Sequence, residues 1–188
     1  MIKYTALLLL IAAPALVSAG DHGDPRVKES REAIKAFSME LKGNLQTAMK
    51  SGGPIEAIDV CKTVAPAIAV EQSVAKNMEI RRTSLKVRNL ANTPDDWERK
   101  VLEIFEKRKA AGEDVKKIDH HEVMEMDGKM VFRYMKAIPT KEKPCTICHG
   151  TNITPKVAEA LDKAYPDDQA RGFKAGDIRG AFSIIQAL

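Results

Sequence analysis

Apolar residues recur at helical spacing from Pro25 to about Lys50. Val27, Ile34, Leu41 and Ala48 share one stripe with Phe37, Leu45 and Met49 beside it, while Lys28, Glu32, Lys35 and Lys42 lie opposite. This pattern predicts a long amphipathic helix. Ser51-Gly52-Gly53 ends it, and Pro54 suits the first position of a second helix reaching about Val74. Ile55, Ile58, Ala65, Ile68 and Ala69 form the stripe of that helix. Cys61, three residues after Ile58 and four before Ala65, belongs to the same buried side. Pro66 withholds a donor from the Lys62 carbonyl and predicts a bend one turn beyond Cys61.

The period then changes to two. Alternation of Met78 with Ile80 and of Leu85 with Val87 predicts a strand over residues 78–87, with Arg81 and Arg82 inside it. Thr93-Pro94-Asp95-Asp96 reads as a helix start, with a hydroxyl cap, a proline at the first position and acids in the first turn. Trp97, Val101, Ile104 and Phe105 make the buried face of that helix, which ends near Gly112. Two alternating segments from His120 to Ile138 flank Asp127-Gly128, a turn pair that favours a two-residue hairpin. Pro139 to Pro144 is a loop, Thr154-Pro155 opens a short helix to about Tyr165, and residues 178–187 read as a last strand. Pro166-Asp167-Asp168 and Gly172 to Gly176 mark turns. The expected class is α+β with an antiparallel sheet.

The first residues stand apart. Lys3, an apolar run from Tyr4 to Val17, and Val17-Ser18-Ala19 read as a secretory signal peptide over 1–19, cut after Ala19. The run is short for a membrane helix and Pro14 breaks it, so the chain is not expected to be an integral membrane protein. Residues 20–188 suit one domain with its own core. The formal charge of +4, reduced by the loss of Lys3, is too small to imply nucleic acid as a partner.

Chemistry enters at Cys145-Thr146-Ile147-Cys148-His149. Two cysteines three apart, followed at once by histidine, form the attachment signature of a c-type haem. Each thiol can add across one vinyl group, and the next side chain falls under the iron as an axial ligand. A thioredoxin-like pair would open a helix after a strand, whereas Pro144 precedes this motif in a Lys- and Pro-rich loop. A zinc site would need a second cysteine pair, which the sequence lacks. An exported chain with this motif points to one covalently attached haem c in the periplasm of a bacterium. Three cysteines less two thioethers leave Cys61 alone. It is open to three roles: inert core, a link to a second chain such as a homodimer partner, or iron ligation. His120 and His121 are rival ligands, but adjacent strand residues point to opposite faces, and both read better as surface imidazoles. Methionines are rivals too. Arg81 or Arg82 can reach a haem propionate, or both can face solvent.

Several blocks carry a resemblance: Asp59-Val60-Cys61 with Ala65-Pro66, residues 82–89, Pro94 to Glu98, Phe132-Arg133-Tyr134 before the motif, and residues 176–183. Together they resemble the bacterial monohaem c-type cytochrome family, once a domain of unknown function, across essentially the whole mature chain. The resemblance implies a PAS-like antiparallel sheet flanked by N-terminal helices. It also implies haem held by Cys145 and Cys148, with axial ligation by His149 and Cys61. Related domains serve as sensors of membrane histidine kinases, yet no kinase or linker follows here, so direct signalling across a membrane is not expected.

The expected function is therefore one-electron transfer through a low-spin His/Cys-ligated haem, serving a periplasmic redox partner or signalling protein. The alternative is a redox or gas sensor that works by exchange of the Cys61 ligand with CO or NO. An enzyme is not expected, because a six-coordinate haem leaves no open site for substrate.

Overall fold

Asp127 and Gly128 both take positive φ, 53° and 75°, and close the two-residue connection between β2 (Asp119–Met126) and β3 (Lys129–Pro139). This is the type I′ geometry that the Asp-Gly pair predicts. The computed structural model describes residues 23–188, so the leader expected at 1–19 lies outside the described residues. Among the described residues, no helix is long and apolar enough to cross a membrane. Helix α1 (Pro25–Ser51), capped by Asp24, leads into α2 (Gly53–Asp59), a π-helical turn (Val60–Val64) and α3 (Ala65–Lys76). Strand β1 (Glu79–Thr83) and α4 (Asp96–Ala110) precede the hairpin. One-turn α5 (Cys145–His149), α6 (Pro155–Ala164) and β4 (Ile178–Ala187) complete the chain.

The four strands form one antiparallel sheet in the order β1-β4-β3-β2, as the α+β expectation requires. Alternation sorts their side chains to two cores. Ile80, Phe132, Tyr134, Phe182 and Ile184 pack with Ile34, Phe37 and Ile68, on the face covered by α1 and α3. Met135, Ala137 and Ala181 pack with Val101, Leu102 and Phe105 of α4 on the other. Each such aromatic or aliphatic burial stabilises by roughly 1.5–3 kcal/mol before entropy is counted. A third cluster joins Ile58 of α2 to Val157, Leu161 and Tyr165, with Cys148 against it. That cluster brings the helix bearing Cys61 to the segment bearing the other two cysteines.

Four local expectations are corrected. Strand β1 stops at Thr83, not near Val87, because the Ser84 hydroxyl donates to Arg179 O at 2.8 Å and accepts from Lys86 N at 3.1 Å, turning the chain. Helix α4 is capped by Asp95, not Thr93; Asp95 and Glu98 form a reciprocal capping box that places the start two residues later. Trp97 is only partly buried and Ile104 is exposed, whereas Glu98 is fully buried. The indole of Trp97 instead stacks on the Arg133 guanidinium at 4.2 Å and donates to Glu122 at 2.7 Å. Finally, the irregularity expected one turn after Cys61 contains it. Pro66 leaves the Lys62 carbonyl without its helical donor, and Ala65 N–H reaches back to Val60 O over a π turn. Cys61 is accordingly half-buried rather than buried.

The β3–β4 register slips once, pairing Ile138 with Gly180 but Pro139 with Ile178. Arg179 is the extra residue, a β-bulge in β4. Beside it Gly180 sits at φ +156°, and a β-carbon there would collide with the Thr83 carbonyl of β1. Gly180→Ala is expected to force β1 from β4 and to cost about 1–3 kcal/mol. Urea unfolding reads this out, and an unchanged midpoint would show that the strands yield freely.

Candidate functional site

The segment Cys145–His149 forms a single helical turn rather than part of an open loop. Gly150 N–H donates to Thr146 O at 2.9 Å and closes it; a β-carbon at Gly150 would strike that same carbonyl. Two backbone bonds then strap the turn to the loop before β4: Phe173 N–H to His149 O and Gly172 N–H to Gly150 O, each 2.9 Å. Phe173 also meets the His149 ring edge-on, with centroids 6.3 Å apart.

The imidazole is fixed by what surrounds it. Nδ1 lies 2.8 Å from the Ala170 carbonyl, which can only accept, so Nδ1 carries the proton and Nε2 keeps its lone pair. Burial, then the charges of Arg179 and Arg88, push His149 well below the usual histidine pKa, which keeps the ring neutral. A neutral imidazole with one nitrogen committed to a backbone carbonyl is the state a metal-ligating histidine adopts. The Nε2 lone pair is met by Arg88 Nη1 at 3.5 Å, a long contact.

Arg88 and Asp168 make the frame. Arg88 is buried and bonds Asp168 Oδ1 at 3.0 Å and Oδ2 at 3.1 Å, the Cys148 carbonyl at 2.6 Å and the Ala170 carbonyl at 3.1 Å. Asp168 also accepts from Ala170 N–H at 2.9 Å and from Arg171 Nε at 2.9 Å. Burial would raise the Asp168 pKa, but the bonds from Arg88 and Arg171 outweigh it and hold the carboxyl below its usual range. One guanidinium thus grips the motif, and the loop carrying its backstop carbonyl, at the same time. Breaking a buried pair of this kind generally costs about 3–5 kcal/mol.

Cys61 lies on the π turn Val60–Val64. Burial raises its thiol pKa, while Arg82, Arg88 and Arg179 pull it down and Cys145 pushes it up. Burial likewise raises Cys148, which feels Cys61 and Cys145. Tyr165, beside them, is pushed up to about 12 by burial and by Cys61. The structure therefore gathers Cys61, Cys145, Cys148 and His149 into one electrostatic neighbourhood, and among the described residues the cysteines form no disulfide. No three His, Cys, Asp or Glu side chains among the described residues converge on one point, as ligands of a bare ion would.

The rival histidines are elsewhere. His120 packs on Trp97 and His121 on Phe132, on opposite faces of β2 as strand alternation requires. The sequence reading missed Asp168 and the Ala170 carbonyl, and saw Arg88 and Arg179 only as parts of the resemblance. A charged residue within the otherwise uncharged run Ile178–Ala187 was the available signal for Arg179.

Fold and site together define the class: an α+β domain with a helix-flanked antiparallel sheet that holds a Cys-X-X-Cys-His turn beside a helical cysteine. Residues 22–187 match the sequence model of the Tll0287-like family, and the chain belongs to that family. Its fold resembles that in the crystal structure of the cyanobacterial heme-protein Tll0287, with a TM-score of 0.62, 21% identity, and 88% of this chain and 96% of that chain covered. At that identity the likeness is one of fold. A comparison with functionally curated proteins finds no match.

Proposed function

We propose that the chain carries one covalently attached haem c and passes single electrons outside the cytoplasmic membrane. The observation that carries this reading is the donor set around the Cys145–His149 turn: two thiols, a neutral imidazole whose Nε2 is its lone-pair nitrogen, and Cys61 presented from a separate helix. That set fits the group. Cys145 and Cys148 would hold it through thioethers, and His149 and Cys61 would ligate its iron. When bound, the haem supplies one-electron oxidation and reduction, with a low potential expected from thiolate ligation. The chain's own residues do the holding. The Ala170 carbonyl sets the histidine tautomer, Phe173 supports the ring edge, and Arg88 locks the Cys148 carbonyl to the loop behind. With His149 and Cys61 both holding the iron, the site would offer no open position for a substrate, which supports reading the protein as a carrier rather than an enzyme. The sheet order and its helical cover are read as PAS-like. Export by a leader cut after Ala19, periplasmic residence and a redox partner there complete the reading.

One observation favours a sensor as the second reading. Cys61 sits in a π turn, where the backbone departs from the regular helical ladder, and such turns occur often at functional sites. A thiol held there can leave the iron by a local change of register.

Expression of the full chain in a bacterium equipped for haem c maturation tests the proposal. The expected product is exported, cut after Ala19, and keeps its pigment on a denaturing gel. An exported but colourless protein would sink the haem reading. Rapid electron exchange without ligand loss supports transfer, whereas binding of CO or NO in place of a protein ligand supports sensing.

A further inference from the structure

Charge is unbalanced at the site. Every other arginine among the described residues that is not exposed has a carboxylate within 4 Å. Arg82 and Arg179 have none, although both are partly buried. Arg82 makes no hydrogen bond among the described residues; its guanidinium lies over the Phe37 ring at 5.5 Å. Arg179 reaches Ser84 Oγ at 3.2 Å and Lys86 O at 3.4 Å, and its Nε stands 3.1 Å from His149 Nδ1. With Nδ1 already protonated, that last contact is not a bond and leaves the charge unanswered. Arg88, the third cation here, takes both oxygens of Asp168, which Arg171 also shares.

The backbone shows that this placement is built in. Arg179 is the bulge residue of β4, and a bulge redirects the side chain it adds. Arg82 lies on β1, the strand paired with β4. Thus two neighbouring strands deliver two guanidinium groups, Arg179 against His149 and Arg82 within the electrostatic reach of Cys61, with no carboxylate among the described residues within 4 Å of either. Burying a cation without a partner is costly, and a planar guanidinium is shaped to receive a carboxylate through two hydrogen bonds. The cavity of about 320 Å3 between Leu102, Phe173 and Ile178 does not compete for this role. Of its lysines, Lys109 is bound to Asp177 at 2.6 Å and Lys86 is exposed.

We propose that Arg82 and Arg179 form a dicarboxylate-receiving site, and that its occupants are the two propionates of the prosthetic group. The inference rests on the haem reading above and adds to it the residues that orient the macrocycle and neutralise its edge. With Arg179 against His149 and Arg82 acting on Cys61, their charges would also disfavour the more positive ferric state of a bound haem.

The test uses the matured haem protein and three variants, Arg82→Gln, Arg179→Gln and Arg82→Lys. Resonance Raman spectroscopy reads the propionate bending bands, and spectroelectrochemistry reads the midpoint potential. Both glutamine variants are expected to shift a propionate band and to lower the potential. Arg82→Lys is expected to keep the potential close to that of the wild type, since the charge remains, while still moving the band, since the paired hydrogen bonds are lost. That variant retains a cation over Phe37 and keeps the test open if Arg82→Gln does not accumulate. Unchanged bands and potentials in pigmented variants would overturn this inference alone. A colourless wild type would overturn the haem reading and this inference with it.

Discussion

Replacing Cys145 and Cys148 together with alanine is expected to abolish pigment that survives denaturation. Each single replacement is expected to leave one thioether and a product that still stains. The expectation follows from the chemistry of the motif and from how the fold presents it. Both thiols are half-buried on one turn, and the next residue is the histidine whose Nδ1 is already spent on Ala170. Alanine is small enough for the Cys148 position against Ile58, Val157 and Leu161, so the cost to the fold should stay near about 1 kcal/mol. Loss of covalent pigment with an unchanged circular dichroism spectrum would separate attachment from folding. Retention of pigment on a denaturing gel by the double variant would show that neither thiol is the attachment point.

The sequence made the regular parts of this molecule legible and the site only in outline. Helix α1, the hairpin and β4 were readable because each is specified locally: a stripe of apolar residues, an Asp-Gly pair, a short mostly apolar run that follows the glycine turn at Gly176. Strand β1 was drawn too long because Ser84, which ends it, does so by bonding Arg179, a residue far along the chain. Trp97 and Glu98 exchanged places for a related reason. A carboxylate can be buried when Asp95 supplies the capping box and Arg133 stands beside it, and no periodicity carries that information. At the site, the motif named the cysteines and histidine, but their support was invisible. The acceptor behind His149 is a backbone carbonyl, which any residue at position 170 would provide. Arg179 is aimed by a bulge that exists only once β3 and β4 are paired.

The last prediction concerns Cys61, where the two functional readings part. In the ferric haem protein, Cys61→Ala is expected to replace a low-spin thiolate spectrum with that of a high-spin site. Cys61→Met is expected to keep the iron low-spin while raising the midpoint potential, because a neutral thioether stabilises ferric iron less than an anionic thiolate does. The structure limits the substitutes that could step in. His120 and His121 are engaged with Trp97 and Phe132 on β2, and β2 lies three strand spacings from β1, about 14 Å. Met135 is sealed in the core beneath α4. Cys61, by contrast, feels the charges of Arg82, Arg88 and Arg179, the last two in contact with the motif, and sits on a π turn that Pro66 maintains by withholding a donor. Pro66→Ala returns that donor. If the turn then relaxes to regular helix, Cys61 rotates away and the wild-type spectrum should give way to that of Cys61→Ala. Ferric spectra identical in wild type, Cys61→Ala and Cys61→Met would remove Cys61 from the iron and with it the ligand-exchange basis for sensing. Loss of the thiolate signature in both Cys61 variants and in Pro66→Ala would tie the ligand to the turn, and would make that turn the element on which exchange, and so sensing, depends.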